Sequence, residues 1–195
     1  ADIALQAIGM TLPLAVAGFA IGVTLAVLCA CLAVIRPGSA IDRMIVAVAS
    51  IVSALPSFWT GLLLISLFSV SLKWLPAYGN GTIAHAVLPA VTLSVWLVAA
   101  RTRLFRSFLT EALSAPYLDA LRLRAVGERP ILMRHVFRHV LVGALPVLCL
   151  DFAIMLEGAV IVEAVFARPG VGMSLLSALQ ARDYPVVQCF IVAAG

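Results

Sequence analysis

Two carboxylates, Asp151 and Glu157, stand inside the otherwise apolar run VLCLDFAIMLEGAVIV, residues 147–162. A carboxylate at the centre of a membrane-crossing helix costs about 2.5–3.5 kcal/mol on insertion scales, so each must face protein or water. One reading is an anionic lining for a solute pathway, suited to a peptide ammonium group or a divalent metal complex. The other is a hydrogen bond to a neighbouring helix. Their six-residue separation places them about 120° apart on a helix, so they need not share a face. Met155, one turn beyond Asp151, joins Asp151 and Glu157 as a candidate pathway residue. Met155 and Cys149 are soft ligands for a transition metal, but each is isolated and core packing is the simpler reading.

Other chemistry is thinly represented. The cysteines Cys29, Cys31, Cys149 and Cys189 lie in apolar runs with no histidine at zinc spacing, and His85, His135 and His139 stand singly. No metal site is read from them. A phosphate-cradling G-x-x-x-x-G-K-[ST] loop is ruled out by the single lysine, Lys73 in LKWLP, and neither H-E-x-x-H nor G-x-S-x-G occurs. No catalytic residue is expected here. Any covalent chemistry belongs to a partner.

The densest charge lies in RLRAVGERPILMRHVFRH, residues 122–139, with five arginines and two histidines. It closes a longer island, 101–139, that has its own punctuation. Pro116 suits the first turn of a short helix, Gly127 its end, and Pro130 the first turn of another. Between them Leu113, Tyr117, Leu121 and then Leu118, Ala125 recur at helical spacing, interrupted by Asp119, Arg122 and Arg124. A short amphipathic helix flanked by turns suits docking of another protein. The competing reading is attraction to anionic lipid head groups.

These residues sit in a chain of 195 that is 64% hydrophobic and 11% charged, with mean hydropathy +1.15. A soluble domain carries about a quarter charged residues, so the chain reads as an integral membrane protein, and its net charge of +4 speaks of orientation rather than nucleic acid. Apolar spans are expected over Thr11–Ile35 with Pro13 in its first turn, Met44–Leu72 broken or kinked at Pro56, about Ala86–Ala100 and about Val140–Val162. A fifth begins at Val186. Each should be helical, because lipid offers backbone groups no partner. The expected fold is therefore all-α: one polytopic membrane domain over 1–195, with four complete spans and the start of a fifth, cut at both ends from a longer chain.

Ten of the 13 basic residues fall in segments 36–43 and 101–139, while 73–85 and 163–185 hold only Lys73, Arg168 and Arg182. By the positive-inside rule the first pair of segments is cytoplasmic. The Asn80-Gly81-Thr82 tripeptide on the opposite side reads as an Asn-Gly turn.

VEAVFARPGVG (162–172) followed by ARDYPVVQ (181–188) resembles the permease subunits of peptide/nickel-type ATP-binding-cassette importers. LPSFWTGLLL (55–64), WLPAYG (74–79) and LPAVTL (88–93) are similar to the same family, in the same order. The resemblance implies a bacterial inner-membrane permease that pairs with a second, paralogous permease. It also implies two ATPase subunits that hold ATP and magnesium, and an extracytoplasmic solute-binding protein. No cofactor is expected on this chain.

The family's coupling helix carries E-A-A-x-x-x-G, and DALRLRA (119–125) is the matching stretch. Asp119 stands for the Glu, Ala120 matches, Leu121 replaces the second Ala, and Ala125 replaces the Gly with Gly127 two residues on. Gly143 falls where the family has a proline, and Pro146 is displaced by three. Tyr117, Asp119, Ala120 and Arg122, with Arg124, Ala125 and Gly127, are thus the expected ATPase-coupling residues. Glu163, Pro169, Gly170, Gly172 and Asp183 are expected on the outer side, at a gate or facing the binding protein. Glu163 also reads as a surface acid capping a helix, and Asp183 as a cap for the last span. The cargo expected is a peptide or a nickel or other metal complex. An ion-gradient-driven transporter or channel using Asp151 and Glu157 is the alternative. It would carry inverted repeats with paired broken helices, and no second copy of the Pro56 pattern is present.

Overall fold

The computed structural model of the chain describes residues 2–124 and 126–188. Ala125, Cys189 and the greater part of the expected fifth span lie outside the described residues. Among those described, all regular structure is helical. The order is α1 (Asp2–Ile35), α2 (Ala40–Ser53), α3 (Ser57–Ser71), α4 (Ala84–Leu113), α5 (Tyr117–Leu123), α6 (Glu128–Val165) and α7 (Val171–Gln180). The end of α3, Ile65–Ser71, and the second turn of α6, Ile131–Val136, wind as π-helix. Residues 184–188 are helical again.

Three helices are long and apolar enough to cross a membrane, Leu5–Ile35, Ala84–Leu113 and Glu128–Val165. The pair α2 and α3 makes a fourth if counted as one broken span. That break falls at Pro56, whose extended backbone (ψ 142°) ends one helix and starts the next. Within the long helices proline does not break the chain. Pro13 lies well inside α1, which starts nine residues before the expected Thr11, and Pro89 and Pro146 lie inside α4 and α6.

The largest difference from the expected layout is in the charged island. α4 runs thirteen residues past Ala100, and α6 starts twelve before Val140. What looked like a long loop is two helical extensions with α5 between them. The reason is the buried stripe Thr102, Phe105, Leu109, Ala112, matched in the other arm by Ile131, Val136, Val140, Ala144. These faces bury enough apolar surface to hold a helix although arginines occupy the remaining positions.

The described chain divides into two compact units. One comprises 23–53 and 98–151. Its core joins Ala26 and Ala30 of α1, Phe105, Leu109 and Ala112 of α4, Leu118 of α5, and Ile131, Val136, Val140 and Ala144 of α6. The other comprises 1–22, 54–97 and 152–195. There Gly18 and Gly22 of α1 face Leu93 and Leu97 of α4 so closely that an added Cβ would lie 3.0 and 2.8 Å from those side chains. This small-x-x-x-small spacing lets two membrane helices approach where no hydrophobic force drives them together. The buried hydroxyls of Thr92 and Thr102 are satisfied within their own helices, Thr92 by the Leu88 carbonyl at 2.8 Å and Thr102 by the Val98 carbonyl at 2.7 Å.

Candidate functional site

The short helix α5 starts immediately after Pro116 and ends at Leu123, capped by Arg124, so Gly127 does not close it as expected. Gly127 instead precedes α6, with an extended backbone (φ −64°, ψ 153°) and its carbonyl accepting the Ile131 N–H at 3.2 Å. Leu118 is fully buried and fixes α5 to its unit, with Leu113 and Leu121 packed beside it. The remaining surface is outward. Tyr117 is 43% and Leu123 89% exposed, and Asp119, Ala120, Arg122 and Arg124 are exposed as well.

Arg122 binds the tip of this region together. Its guanidinium donates to Asp119 Oδ1 at 3.0 Å and to Glu128 Oε1 at 3.1 Å. The Glu128 carboxylate first, and that of Asp119 second, raise the Arg122 pKa above its ordinary value. Solvent-exposed pairs of this kind add little stability. They set charges of both signs beside the exposed Leu123.

The intramembrane acids have separate settings. Asp151 is fully buried and held by both arms of the Arg101 fork, Nε to Oδ2 at 2.5 Å and Nη2 to Oδ1. The same device recurs in the unit at Asp42, where Arg106 donates from Nε and Nη2 at 2.6 Å each and the Gly38 N–H adds a third bond at 2.8 Å. Bidentate guanidinium–carboxylate pairs satisfy both charge and geometry. Neither arginine, nor Asp42, was singled out by sequence. Arg101 lies fifty residues from Asp151, and the only signal is that a buried acid demands a partner. Met155 is buried and Glu157 is exposed. Among the described residues, no three His, Cys, Asp or Glu side chains gather as a metal-binding group.

In the other unit Glu163 is fully buried, not at the surface. Its Oε1 accepts the Thr11 hydroxyl at 2.6 Å and its Oε2 accepts the Gly172 N–H at 2.8 Å, while Thr11 Oγ1 accepts the Val171 N–H at 3.0 Å. The acid thus does cap a helix, the N-terminus of α7, whose dipole favours negative charge. Thr11, missed by sequence, ties α1 to the same knot. The P-G-x-G turn is shaped around it. A Cβ on Gly170 would lie 2.2 Å from Glu163 Oε1, and one on Gly172 would lie 2.3 Å from the Val160 carbonyl oxygen. Pro169 is half-buried in this turn. Asp183 is exposed and accepts the Val186 N–H at 3.3 Å, a helix-capping contact. At 79–82 the left-handed residue is Gly79 (φ +110°), not Gly81.

A family model described as "Binding-protein-dependent transport system inner membrane component" matches residues 22–195. The glutathione transport system permease protein GsiC of Escherichia coli (strain K12) is 34% identical over 151 residues, covering 77% of this chain and 49% of that protein. A putative peptide transport system permease protein of Brucella abortus (strain 2308) is 33% identical over 187 residues, covering 92% and 60%. The chain thus spans about half of the length of these curated relatives. Among solved structures, inward-facing MetNI methionine ABC transporter superposes with TM-score 0.75 at 17% identity, covering 98% of this chain and 88% of that one. An amino acid ABC transporter crystallised with histidines gives 0.71 at 17% identity, covering 99% and 88%. These two likenesses establish the fold.

Proposed function

The chain belongs to the family of binding-protein-dependent transport system inner membrane components, and on that premise we propose that it is the permease subunit of an ATP-driven importer. It works beside a second permease, two ATPase subunits that hold ATP and magnesium, and an extracytoplasmic solute-binding protein. Segments 36–43 and 101–139 face the cytoplasm, on the count of basic residues. The cargo class that fits best is a short peptide, since both relatives named above carry that class, glutathione being a tripeptide. Nickel complexes are less favoured, because Asp151 is already neutralised by Arg101.

The observation that carries this reading is α5. It is a seven-residue helix anchored by Leu118, with Tyr117, Asp119, Ala120, Arg122 and Leu123 all turned outward. Nucleotide can shift a permease between two states only if the docked contact differs in free energy between them. A packed helix seated in a groove of the ATPase subunit carries such a difference. The alternative, transport driven by an ion gradient through Asp151 and Glu157, is less favoured because both Asp151 oxygens are held by Arg101 and Glu157 stands apart from it, exposed.

The test is a charge reversal. In the full-length chain assembled with its partner subunits and reconstituted in vesicles, Asp119→Lys with Arg122→Glu places like charges against the groove. ATP-driven uptake is expected to fall by about tenfold or more, with expression and permease pairing intact. Uptake at the original rate would refute the coupling assignment.

A further inference from the structure

Beside α5 lies a cleft of about 360 Å³ that shares only Tyr117 with the coupling residues. It is lined by Tyr117, Arg134, His135, Arg138, His139 and Val142. Arg134 and Arg138 are exposed, and among the described residues neither is in an ion pair. The Tyr117 ring lies against His135, with centroids 6.4 Å apart and planes tilted by 60°. Two arginines lining one cleft with two histidines and a tyrosine offer the donors that a phosphate-class anion takes.

What lies next along α6 identifies the source of that anion. Past Arg138 and the exposed His139 the exposed residues become apolar: Leu141 at 50%, Val142 at 69% and Leu145 at 61% exposure. Arg134, Arg138, Val142 and Leu145 follow one another at helical spacing, so the charge runs directly into an apolar stripe. We propose that this cleft and stripe bind one anionic phospholipid, its phosphate between Arg134 and Arg138 and its acyl chains along Val142 and Leu145. A free phosphate would use the arginines and leave the stripe unexplained. An acidic groove of a partner protein would do the same. A lipid presents phosphate and hydrocarbon in the order that the helix presents arginine and valine. The inference rests on the membrane reading of α6 but not on ATP coupling, and its readout is binding rather than transport.

The intact transporter, in nanodiscs of phosphatidylcholine mixed with phosphatidylglycerol, is extracted in mild detergent and its retained lipid counted by native mass spectrometry. The wild-type complex is expected to retain phosphatidylglycerol over phosphatidylcholine. Arg134→Gln with Arg138→Gln, both at exposed positions, should lower that retention by about thirtyfold, at about fivefold per basic residue. Arg129→Gln, an exposed arginine of the same island outside the cleft, should leave it unchanged. Equal retention by the double variant overturns the proposal, as does equal loss with Arg129→Gln, which would indicate diffuse surface charge. Displacement of the lipid by millimolar inorganic phosphate alone would make the site one for a free anion. Retention that changes when the ATPase subunits are stripped away would mark the arginines as a protein contact instead.

Discussion

The two units bury their acids by opposite means. In one, Glu163 is met by a hydroxyl and a backbone N–H at a helix start; among the described residues no guanidinium is hydrogen-bonded to it, and Arg168 acts on it only through its charge. In the other, Asp42 and Asp151 are each gripped by an arginine fork. The first arrangement uses neutral dipoles, one from the turn itself at Gly172 and one from Thr11 of α1, so the acid shapes the turn around it. The second uses a full charge delivered from a distant part of the sequence, so it fastens helices together, with a backbone bond added only at Asp42, from Gly38. Loss of a partner should therefore be far more costly in the second case.

That contrast is tested most sharply at Arg101. Arg101→Met leaves Asp151 buried and unpaired, and unfolding in detergent micelles should show a loss of about 3–5 kcal/mol. Adding Asp151→Leu should recover most of it, because a well-packed apolar pair is close to neutral against a buried ion pair. If the single variant costs no more than a surface substitution, the fork is not what neutralises Asp151.

At Glu163 the expected effect is smaller and depends on the replacement. Glu163→Ala strands the Gly172 N–H and removes an acceptor from Thr11, for about 1–3 kcal/mol. Glu163→Gln should recover most of that. Its carbonyl can accept the Gly172 N–H and its amide can donate to Thr11 Oγ1, while the Thr11 hydroxyl turns fully to the Ala7 carbonyl, 3.2 Å away. A Gln variant as unstable as the Ala variant would mean that the negative charge is essential, and the contrast between the units would narrow to one of partner type.

The smallest effect concerns the turn that follows. Ala167 takes a left-handed backbone (φ 46°) at the end of α6, and the bonds Arg168 N–H to the Glu163 carbonyl and Ala167 N–H to the Ala164 carbonyl close it as a Schellman turn. Ala167→Gly relieves the Cβ and should raise stability by about 1 kcal/mol, read as a higher thermal midpoint in detergent. No gain would show that the surrounding turn already absorbs the strain.

Much of this architecture is legible in the sequence for one physical reason. Lipid leaves an apolar run no option but helix, so the long spans and the Pro56 break can be read directly. The helical arms of the charged island are not legible by that rule, because arginines outnumber the buried residues at the island's surface and suggest a loop. Their signal is fainter: Phe105, Leu109 and Ala112, or Ile131 and Val136, at helical intervals among the charges. Leu118 and the Pro116 boundary of α5 follow from the same pattern. Thr11 with Glu163 and Arg101 with Asp151 do not, being 152 and 50 residues apart, and only tertiary packing brings them together. The glycines of the VEAVFARPGVG stretch read as turn formers, whereas in the fold two of them also leave room for a buried carboxylate and a neighbouring carbonyl.

Leu118 has one more implication. It is the sole fully buried residue of α5, and it is wedged among Phe105 and Leu109 from one long helix and Ile131 and Val136 from another. Close-packed interiors compress little and pass strain along. Pressure on the outer face of α5 therefore enters one core shared by both arms, through Leu118 with Leu121 packed beside it, as a nail driven into a joint loads both boards.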